Sequence, residues 1–344
     1  MGLNSMRSRA LSVYALVLVA AFTLPYVALS ASAAAATRRP SIEEVLDAIV
    51  AVKATVPADA RSAETLGTVR EGHGAVIGTD GLILTIGYLV LEADTVTVTQ
   101  HDGSELPAAV IAYDQNSGFG LVRTARPMAV TPLKLGDSAA LQTGDLAVAA
   151  ASGGSEYAMP VRIAARRDFT GYWEYLLKDA IFTAPPYPNF GGAALLNQNG
   201  ELVGIGSLLV ADAQEPGVYG PGNMFIPIND FKSIEQQLLT AGRTRQPNHP
   251  WLGLYTEEAR GRVFVRRVAK DGPSDTAGIS AGDIVVSVGD TPVQTQKALY
   301  EKIWSYGEPG ARIPLTILTA NGGIRTVQVK SIDRYDWLRQ PTGN

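Results

Sequence analysis

The 344-residue chain predicts a mainly β fold in two parts, a barrel or sandwich body followed by a smaller α+β unit. Three observations carry that expectation. From about Thr65 to Pro227 the chain is a series of short β-branched runs, "GHGAVIGTDGLILTIGYLV", "DTVTVTQHDGSELPAAVIAYD" and "GELVGIGSLLV", punctuated by Asp-Gly and Asn-Gly pairs that mark hairpins. The polar, proline-containing "RTRQPNHP" then breaks the pattern as a linker would. Beyond it, strand-like and helix-like runs alternate in a segment of the size of a small independent unit.

The N-terminus comes first in chain order. Arg7 and Arg9 precede the apolar run "ALSVYALVLVAAFTLPYVALS", which gives way to "ASAAAATRRP". A basic start, a short apolar stretch interrupted at Pro25 and small residues spaced as A-x-A predict a signal peptide over residues 1–36, cleaved near Ala33 to Ala36. An uncleaved anchor is the alternative, although a spanning helix needs about 20 apolar residues without interruption. Either way the body is expected in the periplasm or outside the cell. The chain has no cysteine, so neither disulfides nor thiol chemistry enter, and packing alone must hold the fold. Its net charge of −4 and lack of a basic run argue against nucleic acid as a partner.

Residues 37–60 read as an N-terminal helical segment: "SIEEVLDAIVAVKATV" has helical apolar spacing, and Ser41 with Glu44 can form a capping box. Residues 61–240 hold the strand-rich body and close with the helix "NDFKSIEQQLLTAG", capped by Asn229 or Asp230 and ended by Gly242. Residues 241–250 are the linker. The second module, 251–336, contains the strands "RVFVRRV" and "IVVSV", a helix from about Thr295 and a hairpin turning at Asn321-Gly322; 337–344 are a tail.

The motifs in these segments carry a resemblance. "GPSDTAGISAGDIVVSVGDTPV", with Asp283 and its glycines in register, is similar to the G-x-P-A-x-x-A-G-L-x-x-G-D-x-I signature of the PDZ domains appended to HtrA/Deg proteases. The body resembles the trypsin-like domain of the same family. "GHGAVIGTDGLILT", "PLKLGDSAALQTGDLAVAA" and "NFGGAALLNQNGELVGIGS" follow its G-S-G-x-I-I-x-x-D-G-x-I-L-T, P-L-x-L-G-D-S and N-S-G-G-P-L-x-N frames. The resemblance implies a chymotrypsin/trypsin-like double β-barrel followed by an α+β PDZ domain, no cofactor, and assembly as a homo-oligomer, a trimer in many relatives. It also places Trp251, Leu252, Gly253 and Leu254 in a carboxylate-binding loop. Consecutive backbone N–H groups there would receive a peptide C-terminus while the next strand pairs with the peptide as an added sheet edge.

The positions that carry the family's chemistry hold other residues. The general base falls on Tyr88 in "TIGY", and a phenol of pKa about 10 keeps its proton at neutral pH. The orienting acid falls on Gly118 in "DQNSGFGLV", and the nucleophile on Phe190 in "NFGG". The residue two before the nucleophile, an oxyanion donor in this fold, is Pro188, which has no N–H. Losing one such donor costs about 10²–10³ in turnover. None of the three histidines, His73, His101 and His249, sits at metal-ligand spacing, and each reads as a solvated or locally bonded side chain. Ser117 and Ser155 are loop serines with no base near them in sequence. The aromatic run "GYWEYLLKDAIFTAPPYPNF" reads as packing across the old site, with the lining of a new pocket as the alternative.

These residues lead to a secreted pseudoprotease that binds protein C-termini or unfolded polypeptides without cutting them. Two alternatives stand beside it: a serine endopeptidase with displaced catalytic groups, and a small-ligand or glycan binder in the altered cleft.

Overall fold

Strand alternation and turn glycines build two closed barrels, each of six antiparallel strands. The computed structural model describes residues 40–244 and 248–339. The predicted signal segment and the far end of the tail lie outside them. Among the described residues no helix is long and apolar enough to cross a membrane.

Helix α1 (Ile42–Asp47) begins at Ser41 with the expected reciprocal capping box to Glu44. It ends sooner than its helical spacing suggested. From Val50 burial alternates residue by residue, and β1 (Ile49–Thr55) is the first barrel strand rather than the continuation of a helical segment to residue 60. The short helix α2 (Ala63–Leu66) is followed by β2 (Val69–Val76), β3 (Leu82–Ile86), the one-turn α3 (Gly87–Val90), β4 (Thr95–Thr99), β5 (Glu105–Tyr113) and β6 (Phe119–Thr124). They close in the order β1-β2-β3-β6-β5-β4.

The second barrel repeats that scheme with β7 (Leu146–Ala150), β8 (Ala158–Gly171), β9 (Tyr175–Ala184), β10 (Ala194–Leu196), β11 (Leu202–Val210) and β12 (Gly222–Pro227). Its order, β10-β11-β12-β9-β8-β7, is the first barrel's order read backwards around the ring. The Asp80-Gly81, Asp102-Gly103 and Asn199-Gly200 pairs all turn with a left-handed glycine, φ +81°, +80° and +74°. Buried side chains from both barrels, Phe119, Leu121, Phe182 and Ile226 among them, form one continuous core.

Helix α4 (Ile228–Ala241) ends at left-handed Gly242 as expected, but its N-cap is Pro227. Strand β12 runs directly into the helix, which places Asn229 and Asp230 inside its first turn. The segment read as a linker is docked where it starts: the Thr244 hydroxyl is buried and donates to Asp114 Oδ1 at 3.2 Å.

The remaining module is a sheet in the order β13-β14-β15-β17-β18, from β13 (Leu254–Ala259), β14 (Arg262–Val268), β15 (Ile284–Val288), β17 (Arg312–Leu318) and β18 (Ile324–Lys330). The two-residue β16 (Thr291–Pro292) pairs with β15. Short α5 (Pro273–Thr276) precedes β15, and α6 (Gln296–Trp304) starts at Thr295, whose hydroxyl accepts from Ala298 N. Strand β13 is a sheet edge, with α6 facing it. The C-terminal segment is not a free tail from residue 337. Helix α7 (Arg334–Trp337) brings the Tyr335 hydroxyl to the Tyr113 carbonyl of the first barrel at 2.7 Å, and Leu338 is buried.

Candidate functional site

The cleft between the barrels is set by close backbone approach. His73 N in β2 donates to Gly191 O, and Gly192 N donates to Gly206 O in β11. Gly192 has φ +78°, and a Cβ there would lie 1.9 Å from the His73 carbonyl oxygen. The glycine pair of "NFGG" is thus a turn that lets the second barrel touch the first.

Tyr88, Gly118 and Phe190 meet around one cavity of about 330 Å³ in this cleft, whose walls also include Tyr113, Trp173, Tyr175, Tyr255 and Trp337. Tyr88 stands on α3, whose turn is clamped by buried Arg70 through the carbonyls of Tyr88 (2.9 Å) and Leu91 (2.8 Å). Its hydroxyl crosses the cleft and donates to the Ser207 carbonyl at 3.0 Å, and burial pushes its pKa up. That oxygen also abuts Gly191, 3.0 Å from where a Cβ would stand. Gly118 has φ +86°, and its carbonyl accepts from Gly87 N, next to Tyr88, at 2.7 Å. The space a side chain at 118 would enter is bounded by the Tyr175 hydroxyl and Ile226 Cδ1, each 3.2 Å from an ideal Cβ. Phe190 is half-buried on the wall and leaves the cavity open. The aromatic run therefore both packs and lines: Trp173 stacks on Tyr175 at 5.4 Å, and both border the cavity.

The histidines do not gather. His73 lies in β2, not in a turn as its G-x-G context suggested, because the glycines there serve close strand packing. Its Nδ1 accepts from Ser152 N at 3.3 Å, and burial pushes its pKa down to about 4, so the ring is neutral at neutral pH. His101 is exposed. His249 is exposed, as the sequence suggested, and its ring stacks on Trp304 with centroids 4.1 Å apart. The Ser117 hydroxyl is 2.6 Å from Asp114 Oδ2 with no imidazole beside it, and Ser155 is exposed on a surface turn. Among the described residues no three His, Cys, Asp or Glu side chains cluster as a metal site would require.

The second candidate region is Trp251–Leu254, and it is occupied. Glu174, at the tip of the β8–β9 hairpin, inserts its carboxylate into the loop. Leu252 N donates to Oε2 at 3.0 Å and to Oε1 at 3.3 Å, and Leu254 N donates to Oε1 at 2.7 Å. Gly253, at φ +77°, turns the loop so that these amides converge. Trp251 pairs with Ile332, through Trp251 N to Ile332 O at 3.0 Å and the reciprocal bond at 3.1 Å. Tyr172 O then accepts from Thr256 N in β13 at 2.9 Å, and Tyr300 of α6 donates to Gly171 O at 3.0 Å. Glu174 is 4% exposed and sits at φ +58°, uncommon for a residue with a Cβ. Nothing in the sequence marks it, since a lone acid among aromatics carries no motif and its partners lie about eighty residues further along the chain.

A trypsin-like peptidase domain profile matches residues 72–205, and a PDZ domain profile matches residues 250–330. The chain is a homologue of the HtrA/DegP serine proteases. It is 32% identical over 285 residues to serine protease PepD of Mycobacterium tuberculosis, covering 75% of this chain and 60% of that one. It is 30% identical over 278 residues to the periplasmic pH-dependent serine endoprotease DegQ of Escherichia coli, covering 75% of this chain and 58% of the other. This HtrA homologue thus spans less than two thirds of the length of these curated relatives. Among solved structures, a variant of the HtrA-type protease AlgW with a tripeptide aligns at TM-score 0.51 and 20% identity, over 88% of this chain and 98% of that one. The serine endoprotease from Yersinia pestis aligns at TM-score 0.50 and 22% identity, over 86% and 98%. At such identities these structures support the shared fold alone.

Proposed function

We propose that this HtrA homologue is a pseudoprotease that captures the free C-termini of other polypeptides at Trp251–Leu254 and β13 and does not hydrolyse them. The observation that carries the reading is the state of the cleft. Where the family places its base, Tyr88 spends its hydroxyl proton on the Ser207 carbonyl, beside a Phe190 that offers no nucleophilic atom. The slot at Gly118 is closed by Tyr175, and Pro188 supplies no N–H to an oxyanion. Capture is supported by converging amides in the loop, by the place of β13 at the edge of its sheet and by α6 facing that edge. The relatives named above carry protease names, whereas Tyr88, Gly118 and Phe190 stand in this chain where the resemblance puts the catalytic residues. A periplasmic location fits both its N-terminal segment and the relatives named as periplasmic.

Incubation of the purified chain with casein and with a fluorophosphonate serine probe tests the reading. Neither cleavage nor labelling is expected. Robust cleavage abolished by one serine substitution would establish a relocated nucleophile instead.

The cavity of about 330 Å³ favours a second reading, a small apolar ligand held between Tyr88, Phe190 and Trp173. Its lining is rich in aromatic rings, with Arg61, Gln115, Arg267 and Arg334 among its polar members, so a flat molecule could stack there and still meet cationic groups.

A further inference from the structure

The β8–β9 hairpin meets the PDZ module in the manner of a bound peptide. A C-terminal ligand at such a site gives its carboxylate to the loop amides and its upstream backbone to the neighbouring strand, every second residue facing that strand. Glu174 gives its carboxylate to Leu252 and Leu254. Two residues before Glu174, the Tyr172 carbonyl accepts from Thr256, which lies two residues after Leu254. The spacing on the hairpin matches the spacing on the strand. On the far side of the groove, Tyr300 holds the Gly171 carbonyl and Lys297 pairs with Asp168 at 2.6 Å.

We propose that Glu174 and Tyr172 form an internal pseudo-ligand that keeps the C-terminus-binding groove shut, and that incoming peptides bind by displacing this hairpin tip. The proposal rests on the peptide-capture reading above. Three features separate a displaceable occupant from a plain structural contact. The tip is a turn of three residues at the end of the long β8–β9 ladder, so it can leave while the barrel strands stay paired. It carries Glu174 in a left-handed backbone conformation that residues with a Cβ seldom adopt, as expected of a tip shaped to present one side chain. And its carboxylate uses the amides a foreign carboxylate would need, so the two cannot be bound together. Because the tip is tethered, its effective concentration at the groove is of the order of millimolar, and a micromolar peptide competes only while the tip is out. Tyr172, packed on Tyr255 at 6.2 Å, marks the matching ligand: a free carboxylate with an aromatic residue two positions upstream.

The experiment titrates the full chain into a fluorescent decapeptide ending in a free carboxylate with tyrosine third from its end, with the amidated peptide as control, and reads anisotropy. Glu174→Ala is expected to tighten carboxylate binding about tenfold or more over the parent chain, with no gain for the amide. Asp168→Ala, which loosens the tip at its exposed ion pair, should shift affinity in the same direction by less, and serves if Glu174→Ala does not fold. Equal, measurable affinity in the parent and both variants overturns the internal ligand while leaving peptide capture standing. Binding by none of the three forms overturns peptide capture itself, and the gate with it.

Discussion

Leu254 donates its backbone N–H to Glu174 Oε1 at 2.7 Å, from a residue 80 positions later in the chain. One side chain thereby ties the second barrel to the Trp251–Leu254 loop. Its burial has a consequence for pH. Removal from water pushes the Glu174 carboxyl up to about 7 from an ordinary 4.5, outweighing the amides of Leu252, Leu254 and Gly253 and the charge of Arg334. A group whose pKa is higher docked than free stabilises docking in full below the free value and loses that contribution as pH rises through the docked value. The latch should therefore loosen between about pH 4.5 and pH 7, and free-carboxylate peptides should bind about tenfold tighter at about pH 8 than at about pH 5.5. The groups facing Glu174 are the Arg334 guanidinium, Tyr300, whose phenol burial pushes up, and His249 across a small shared cavity. Anisotropy titrations across this range in the parent and in Glu174→Gln check it. A pH dependence that persists in Glu174→Gln belongs to His249 and counts against the assignment.

Refitting the family's catalytic side chains should not restore hydrolysis. In a chain carrying Tyr88→His, Gly118→Asp and Phe190→Ser, the new aspartate must take φ +86° and push past Tyr175 and Ile226. The oxyanion site still faces Pro188. Casein cleavage by this triple variant is expected to stay at the level of the parent. Adding Pro188→Gly returns a donor worth about 10²–10³ in turnover, so any activity should emerge only in the fourfold variant. Full activity in the triple variant would show that Pro188 is harmless.

The adjacent glycines of "NFGG" differ in what they tolerate. Gly192→Ala places a Cβ 1.9 Å from the His73 carbonyl at a left-handed φ, two faults that together cost about 2–4 kcal/mol. Gly191→Ala meets only the Tyr88 hydroxyl, at 3.0 Å, which the ring can yield by a small shift. Its cost should be under about 2 kcal/mol. Urea denaturation of both variants ranks them, and a larger loss at 191 would contradict the geometry.

The β-rich body and the sheet with its α6 wall were legible in turn glycines and local frames, and the same frames single out Tyr88, Gly118, Phe190 and the Trp251–Leu254 loop. Such signals are written within a few residues. Ile49–Thr55 was misread as helix because its alternation starts inside a run that also fits helical spacing, and only pairing with β2 and β4 decides between them. Glu174 was invisible for a related reason. Its role exists only once a hairpin tip and a distant loop are brought together, and no local frame encodes that meeting. Tyr175 closing the slot at Gly118 is the same kind of fact.

Trp173 offers an optical reading of the same tip. It follows Tyr172 and precedes Glu174, and its ring borders the cavity, in edge contact with Tyr172 at 4.9 Å and stacked on Tyr175 with an interplanar angle of 15°. Withdrawal of Glu174 from the loop cannot leave it in place, because the three residues form one short turn. Peptide binding should therefore carry Trp173 toward water and shift its emission to the red. The chain has four tryptophans. Trp251 and Trp337 pack together with centroids 4.9 Å apart and Trp304 is covered by His249, but Trp251 and Trp304 border a small cavity with Glu174, so a variant must separate their signal from that of Trp173. In Trp173→Phe the red shift on adding the free-carboxylate peptide should be largely lost while binding by anisotropy remains. An undiminished shift in that variant would mean that peptides enter without moving the hairpin.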